Sequence, residues 1–193
     1  MEIENKTIGF AVCGSFCTFK RMLTAVDKLK NAGADIIPVM SEISYSTDTR
    51  FGECDFFRNE LIRKTGNDII HTIKDAEPIG PKAILDALVI LPCTGNTLAK
   101  LANGITDSCV TLAAKAHLRN NRPVIIGVST NDGLANAAQN IGKLLTRKNI
   151  YFIPFAQDDC INKPNSLVAD FSKLNQTLEA ALEGKQLQPI LAV

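Results

Sequence analysis

The run Ala87-Leu-Val-Ile-Leu-Pro-Cys-Thr-Gly-Asn-Thr-Leu-Ala-Lys-Leu-Ala-Asn-Gly-Ile-Thr106 decides the fold. Its first five residues, Ala87 to Leu91, are continuously apolar, as expected of a parallel strand covered on both faces. Pro92 to Asn96 read as a short polar turn. Leu98, Leu101, Ala102 and Ile105 then recur at helical spacing, with Asn96 or Thr97 placed to cap the first N–H groups. A strand that feeds a helix N-terminus through small polar residues is where α/β proteins hold anionic or polar ligands. The rest of the chain is expected to build a sheet around this turn.

Working back toward the start, Thr7 to Cys13 is a strand and Gly14 to Thr18 a turn. A helix follows from about Lys20, with Met22, Leu23, Val26 and Leu29 on one face and Gly33 as its stop. Asp35 to Met40 closes a β-α-β unit, which requires a parallel pair. Ser41 to Asp55 is too polar for a core strand and too long for an ordinary connection, which marks a functional loop. A helix over Cys54 to Lys64, a short strand over Asp68 to Thr72 and a helix over Lys82 to Asp86 complete this half. Beyond the central run, Asp107 or Ser108 caps a helix to about Arg119, with Leu112, Ala113, Ala116 and His117 inward. Val124 to Val128 is a strand, Ser129 to Gly133 a second polar turn, Leu134 to Lys148 a helix and Ile150 to Phe155 a strand. Gln157 to Asn165 is loop, and Leu167, Phe171, Leu174, Leu178 and Leu182 space out a final amphipathic helix. The expected fold is α/β: a doubly wound three-layer sandwich with a mainly parallel sheet, Rossmann/flavodoxin-like, in one domain over residues 1–193.

Composition narrows the function. A net charge of +1 gives no electrostatic case for nucleic acid or an anionic membrane surface. No apolar run reaches about 18 residues, so no transmembrane helix is expected. The charged start Met-Glu-Ile-Glu-Asn-Lys is unlike a signal peptide, and a cytoplasmic location is expected. The six cysteines form no C-x-x-C pair and there are only 2 histidines, so no metal site is expected.

Three βα turns share one sheet edge: Cys13-Gly-Ser-Phe-Cys-Thr18, Pro92-Cys-Thr-Gly-Asn-Thr97 and Ser129-Thr-Asn-Asp-Gly133, with Val39-Met-Ser41 beside them. They supply hydroxyls, amides and small residues with almost no charge. That suits a phosphate held by N–H and hydroxyl groups next to a neutral, hydrogen-bonding ring. Neither G-x-G-x-x-G nor G-x-x-x-x-G-K-[ST] is present. The alternative is that these Ser, Thr and Asn residues only cap helices.

At these turns the sequence resembles the homo-oligomeric flavin-containing cysteine decarboxylase superfamily, whose flavin motif is similar to Pro92-Cys-Thr-Gly-Asn-Thr-Leu-Ala-Lys-Leu101. Gly127-Val-Ser-Thr-Asn-Asp-Gly133, Lys148-Asn-Ile-Tyr-Phe-Ile-Pro-Phe-Ala-Gln-Asp-Asp159 and Lys163-Pro-Asn-Ser-Leu-Val-Ala169 resemble one branch more closely, that of the dipicolinate synthase B subunit. So do Thr47-Asp-Thr-Arg-Phe-Gly52 and Glu77-Pro-Ile-Gly-Pro81. The resemblance implies one component of a two-component oxidoreductase. With its A subunit, it would turn a dihydrodipicolinate-type precursor into dipicolinate during sporulation, with NADP carried by the A subunit. It implies FMN here, held by Gly14, Ser15, Phe16, Ser41, Thr94, Gly95, Asn96, Thr97, Ser129 and Asn131, and a homo-oligomer. A dicarboxylate substrate would need cationic or multiple N–H partners, for which Arg50 and Thr49 are the candidates; for Arg50 the alternative is a solvated loop charge. The family's decarboxylases carry a catalytic His ahead of the flavin-motif strand and a Pro-x-Met-Asn clamp. This chain has Glu77-Pro-Ile-Gly-Pro81 in place of the first and only Asn131 of the second. Two alternatives stand: a flavin-dependent decarboxylase, and a non-catalytic structural partner of the A subunit. The catalytic residue is open; a base would come from Glu77, Asp132 or the other component. Cys93 is read as packing, not as a nucleophile.

Overall fold

The computed structural model describes residues 3–192. Five parallel strands form the body of the sheet: β1 (Thr7–Val12), β2 (Asp35–Met40), β3 (Ala87–Cys93), β4 (Val124–Thr130) and β5 (Ile150–Phe152). Their lateral order is β2-β1-β3-β4, with β5 on β4. All seven residues of β3 are buried, because strands lie on both of its sides and helices on both of its faces. The helical layers group as the sandwich requires. α1 (Phe19–Asn31) packs on α3 (Cys54–Thr65) and on α8 (Leu174–Leu182). In the other group α6 (Cys109–Leu118) packs on α4 (Ile73–Ala76) and α5 (Gly95–Asn103), and α5 on α7 (Ala138–Leu145). α5 stops at Gly104, whose φ of 72° is a left-handed conformation that a side chain would resist.

Several boundaries differ from the sequence expectation, each for a local reason. The helix expected over Lys82 to Asp86 is absent. Thr72 instead accepts the Asp75 N–H and starts α4, a 3-10 turn (Glu77–Ile79) follows, and Ala83 turns the chain with φ of 47°. Asp68 to Thr72 contributes a single bridge, Ile70 to Val39. The polar insertion contains α2 (Glu42–Ser46), begun by the Ser41 side chain accepting the Ser44 N–H. Thr94, ahead of both Asn96 and Thr97, caps α5 by accepting the Thr97 N–H. Of the two residues proposed to cap α6, Ser108 does so, in a reciprocal box with Thr111.

The largest departures lie beyond β4. The expected helix from Leu134 shortens to α7, because the Asp132 carbonyl accepts the N–H groups of Ala135 and Ala137 and holds turns there. Leu167 belongs to a strand, not to the final helix. β7 (Leu167–Ala169) runs antiparallel to the end of β4, pairing Ser129 with Val168 and Thr130 with Leu167, and to β6 (Phe155–Ala156). Pro154 offers no N–H to a ladder, and the run expected from Ile150 to Phe155 divides around it into β5 and β6.

His117 lies on the inner face of α6 with no exposed surface. Its Nε2–H donates to the Pro123 carbonyl at 3.2 Å, and Nδ1 has no partner among the described residues. Burial lowers its pKa to about 4, with the Arg122 charge adding to the effect. An unfolded histidine takes up its proton near 6.5, so between those values the unfolded chain binds more protons. Stability is therefore expected to be full above pH 6.5 and to fall as the pH drops toward 4, by roughly 3 kcal/mol in total. Urea unfolding at pH 7 and pH 4.5 measures this, and His117→Leu should flatten that part of the profile.

Candidate functional site

The turns that leave β1, β3 and β4 meet at one edge of the sheet and enclose a cleft of about 820 Å³. Gly14 to Cys17 form one wall, Thr94 to Asn96 the start of α5, and Ser129 to Asp132 the end of β4. Arg50 and Phe51 reach in from the polar insertion; Asp158, Lys163, Ser166 and Val168 come from the ribbon that carries β6 and β7.

The walls are fastened to one another. Ser15 Oγ lies 2.7 Å from Ser129 Oγ, so the first and third turns touch. The Cys13 N–H donates to the Pro92 carbonyl at 3.2 Å, which ties the first turn to the second. The Thr130 hydroxyl donates to Asp132 at 2.5 Å, and the Ser166 hydroxyl donates to the Thr130 carbonyl at 3.3 Å. Gly95 allows the second and third turns to close up: a Cβ there would stand 2.7 Å from Thr130 Oγ1 and 2.9 Å from Asp132 Oδ1.

In the first turn, the Ser15 N–H donates to the Cys13 carbonyl at 2.7 Å and the Thr18 N–H to the Ser15 carbonyl at 3.0 Å. The N–H groups of Gly14 and Phe16 have no backbone acceptor among the described residues. The side chains of Asn96 and Asn131 are exposed and make no internal hydrogen bond among the described residues. Neutral donors around a cleft of this size suit a phosphorylated, hydrogen-bonding cofactor such as a flavin mononucleotide. Arg50 and Lys163 are the cations on its lining.

Of the twelve residues proposed for binding, nine line this cleft: Gly14, Ser15, Phe16, Arg50, Thr94, Gly95, Asn96, Ser129 and Asn131. Ser41, Thr49 and Thr97 do not. Ser41 is engaged as the cap of α2, with its Oγ 2.8 Å from Ser44 Oγ. Thr49 makes a tight turn, exchanging backbone bonds with Gly52 and accepting the Phe51 N–H. Thr97 is buried, and its hydroxyl donates to Cys13 Sγ at 3.3 Å. Asp132 lines the cleft, whereas Glu77 lies in the 3-10 turn before β3 and does not. Neither histidine lines it; His71 is stacked on Tyr45 with ring centroids 3.9 Å apart.

The thiols beneath the cleft are inert. Burial raises the Cys93 thiol well above its ordinary value and Cys13 to about 11, so both remain protonated at neutral pH. Asp158, Lys163 and Ser166 are contributions that sequence reasoning missed. They stood inside the segments Lys148–Asp159 and Lys163–Ala169, but a stretch read as loop and helix start gave no reason to point them at the site.

A family profile for flavoproteins matches residues 1–178. The chain belongs to the flavoprotein family. Within that family it is 49% identical to the B subunit of dipicolinate synthase from Bacillus subtilis (strain 168), over 98% of this chain and 95% of that one. Among solved flavoprotein folds, the crystal structure of the dipicolinate synthase B subunit from Bacillus halodurans C superposes with a TM-score of 0.92 at 46% identity, covering 100% and 99% of the two chains. The FMN-dependent cysteine decarboxylase SpaF superposes with a TM-score of 0.69 at 23% identity, covering 94% and 97%, which is a likeness of fold alone. The doubly wound α/β architecture is thus that of the flavoprotein family. Among the described residues, no helix is long and apolar enough to cross a membrane.

Proposed function

We propose that this chain is the B subunit of a bacterial dipicolinate synthase, a single cytoplasmic unit that binds FMN in the cleft and acts with the enzyme's A subunit. The reaction would aromatise a dihydrodipicolinate-type dicarboxylate by removal of a hydride and a proton, with NADP on the A subunit. The observation that carries the reading is the convergence of the Gly14–Cys17, Thr94–Asn96 and Ser129–Asp132 turns on one cleft. They do so in a chain 49% identical, almost end to end, to such a subunit from Bacillus subtilis.

A bound flavin would supply two-electron acceptance; the chain's own residues bind and orient. Gly14, Ser15 and Phe16 would hold the phosphate through N–H and hydroxyl donors, with Ser129 backing Ser15. Thr94, Gly95, Asn96 and Asn131 would meet the ribityl chain and ring edge, and Arg50 one substrate carboxylate. Arg50 forms no ion pair among the described residues, which leaves its guanidinium open to an incoming anion. Asp132 is the cleft carboxylate without a cationic partner among the described residues, and it would be the residue to take a proton if this subunit supplies the base. Ile43 within the polar insertion and Phe56 just after it, 57% and 52% exposed, are apolar surface that a homo-oligomer would cover. A decarboxylase that needs a histidine base is disfavoured, since His71 and His117 are both engaged elsewhere.

Titrating the purified protein with FMN, then combining it with the A subunit, tests this. Flavin binding and a synthase rate that rises on adding this chain are expected. Full synthase activity without this chain would overturn shared catalysis and leave a structural partner.

A further inference from the structure

Lys163 stands on the loop between β6 and β7, which is fixed at several points. The Lys163 N–H donates to the Asp159 carbonyl at 2.9 Å, and the Ser166 N–H donates to the Lys163 carbonyl at 3.0 Å. Gln157 Nε2 reaches the Pro164 carbonyl at 2.7 Å, and the Ser166 hydroxyl anchors the loop to the end of β4. The loop therefore presents Lys163 from a set position.

Among the described residues the ammonium forms one ion pair, with Asp158 at 3.1 Å, and the Asp159 carboxylate adds to the negative field around it. Asp158 accepts from Lys163, and it holds the end of the lysine stem without enclosing it, since the Lys163 side chain is 58% exposed. Lys163 lines the same cleft as the Gly14–Cys17 turn. That turn has hydroxyl and N–H donors but no cation of its own. Arg50 belongs to a different loop and lies against the Phe51 ring, 4.9 Å from its centroid.

We infer that Lys163, aimed by Asp158, is the cation that faces the phosphate of a flavin mononucleotide held at the Gly14–Cys17 turn, and that it makes the site select the phosphorylated flavin over riboflavin. The inference rests on the flavin reading above. An ammonium facing a phosphate forms charge-assisted hydrogen bonds that a neutral side chain cannot replace. Riboflavin, which lacks the phosphate, has nothing at that position for the charge to attract.

The test is a fluorescence-quenching titration of wild type, Lys163→Gln and Lys163→Arg with FMN and with riboflavin, at low and high salt. Lys163→Gln should bind FMN about tenfold more weakly, the loss expected of one charge-assisted contact, with riboflavin unchanged and a smaller salt dependence. Lys163→Arg should restore most of the FMN affinity. Wild-type protein that binds neither flavin would overturn the flavin reading itself. FMN bound equally by wild type and Lys163→Gln, or FMN and riboflavin weakened alike by the substitution, would overturn only the role of Lys163.

Discussion

Ser15→Asp is expected to weaken FMN binding by a hundredfold or more while the protein stays folded. Ser15 stands in the middle of the first turn, 2.7 Å from Ser129, and its side chain makes no capping bond. A carboxylate introduced there adds no bulk to the core, but it puts a negative charge beside the proposed phosphate position. Two like charges about 4 Å apart repel by about 4 kcal/mol at the effective dielectric of a protein surface. An open cleft screens part of this, and about 2.7 kcal/mol suffices for the hundredfold loss. Ser15→Ala removes one hydroxyl contact and should cost only several-fold. Riboflavin should be affected far less than FMN by the aspartate. Titration of both ligands with both variants, with circular dichroism as the control for folding, checks the expectation; equal losses for the two flavins would place the phosphate elsewhere.

The second large effect concerns the sheet. Gly9 of β1 pairs with Leu88 of β3, and a Cβ on Gly9 would lie 2.6 Å from Leu85 Cδ1 and 2.8 Å from Leu88 Cδ1. The two leucines, both fully buried, use the space that glycine leaves open. Gly9→Ala should therefore destabilise by about 1–3 kcal/mol through overpacking. Leu88→Ala should cost about 2–5 kcal/mol through the cavity it leaves. Because the new methyl would enter part of that cavity, the double variant should be more stable than the sum of the two losses, by about 1 kcal/mol. Urea unfolding of the four proteins measures this coupling. Additive losses would show that Leu85 or the backbone, not Leu88, yields to the methyl group.

The sequence made the parallel body legible for a physical reason. β3 is buried on both faces, so Ala87 to Leu91 had to be apolar at every position, and such a run admits few other readings. The first and third turns could be placed in the site because strand ends in a parallel sheet share one edge. Ser41, Thr49 and Thr97 show the limit of that reasoning. Being near the edge does not direct a hydroxyl, and each of these is committed to a local bond with a neighbour a few residues away or, for Thr97, with Cys13. The β6–β7 ribbon was illegible because short antiparallel strands leave little periodicity: Leu167, Val168 and Ala169 offer three residues in which strand and helix cannot be told apart. Asp158 and Lys163 were hidden with it, since their arrival at the cleft depends on that ribbon pairing with the end of β4.

β4 changes partner along its length. Val124 to Ile126 pair with β5, and Ser129 and Thr130 pair with β7. The five-stranded body is thus complete before the ribbon is added. Such an arrangement separates two evolutionary tasks. The core can be kept for folding while the appended hairpin accumulates substitutions and length changes that alter what the cleft accepts. Diversification of ligand preference in proteins built this way would concentrate in the exposed loop from Gln157 to Asn165, while Phe155, Leu167 and Ala169 stay bound to the core.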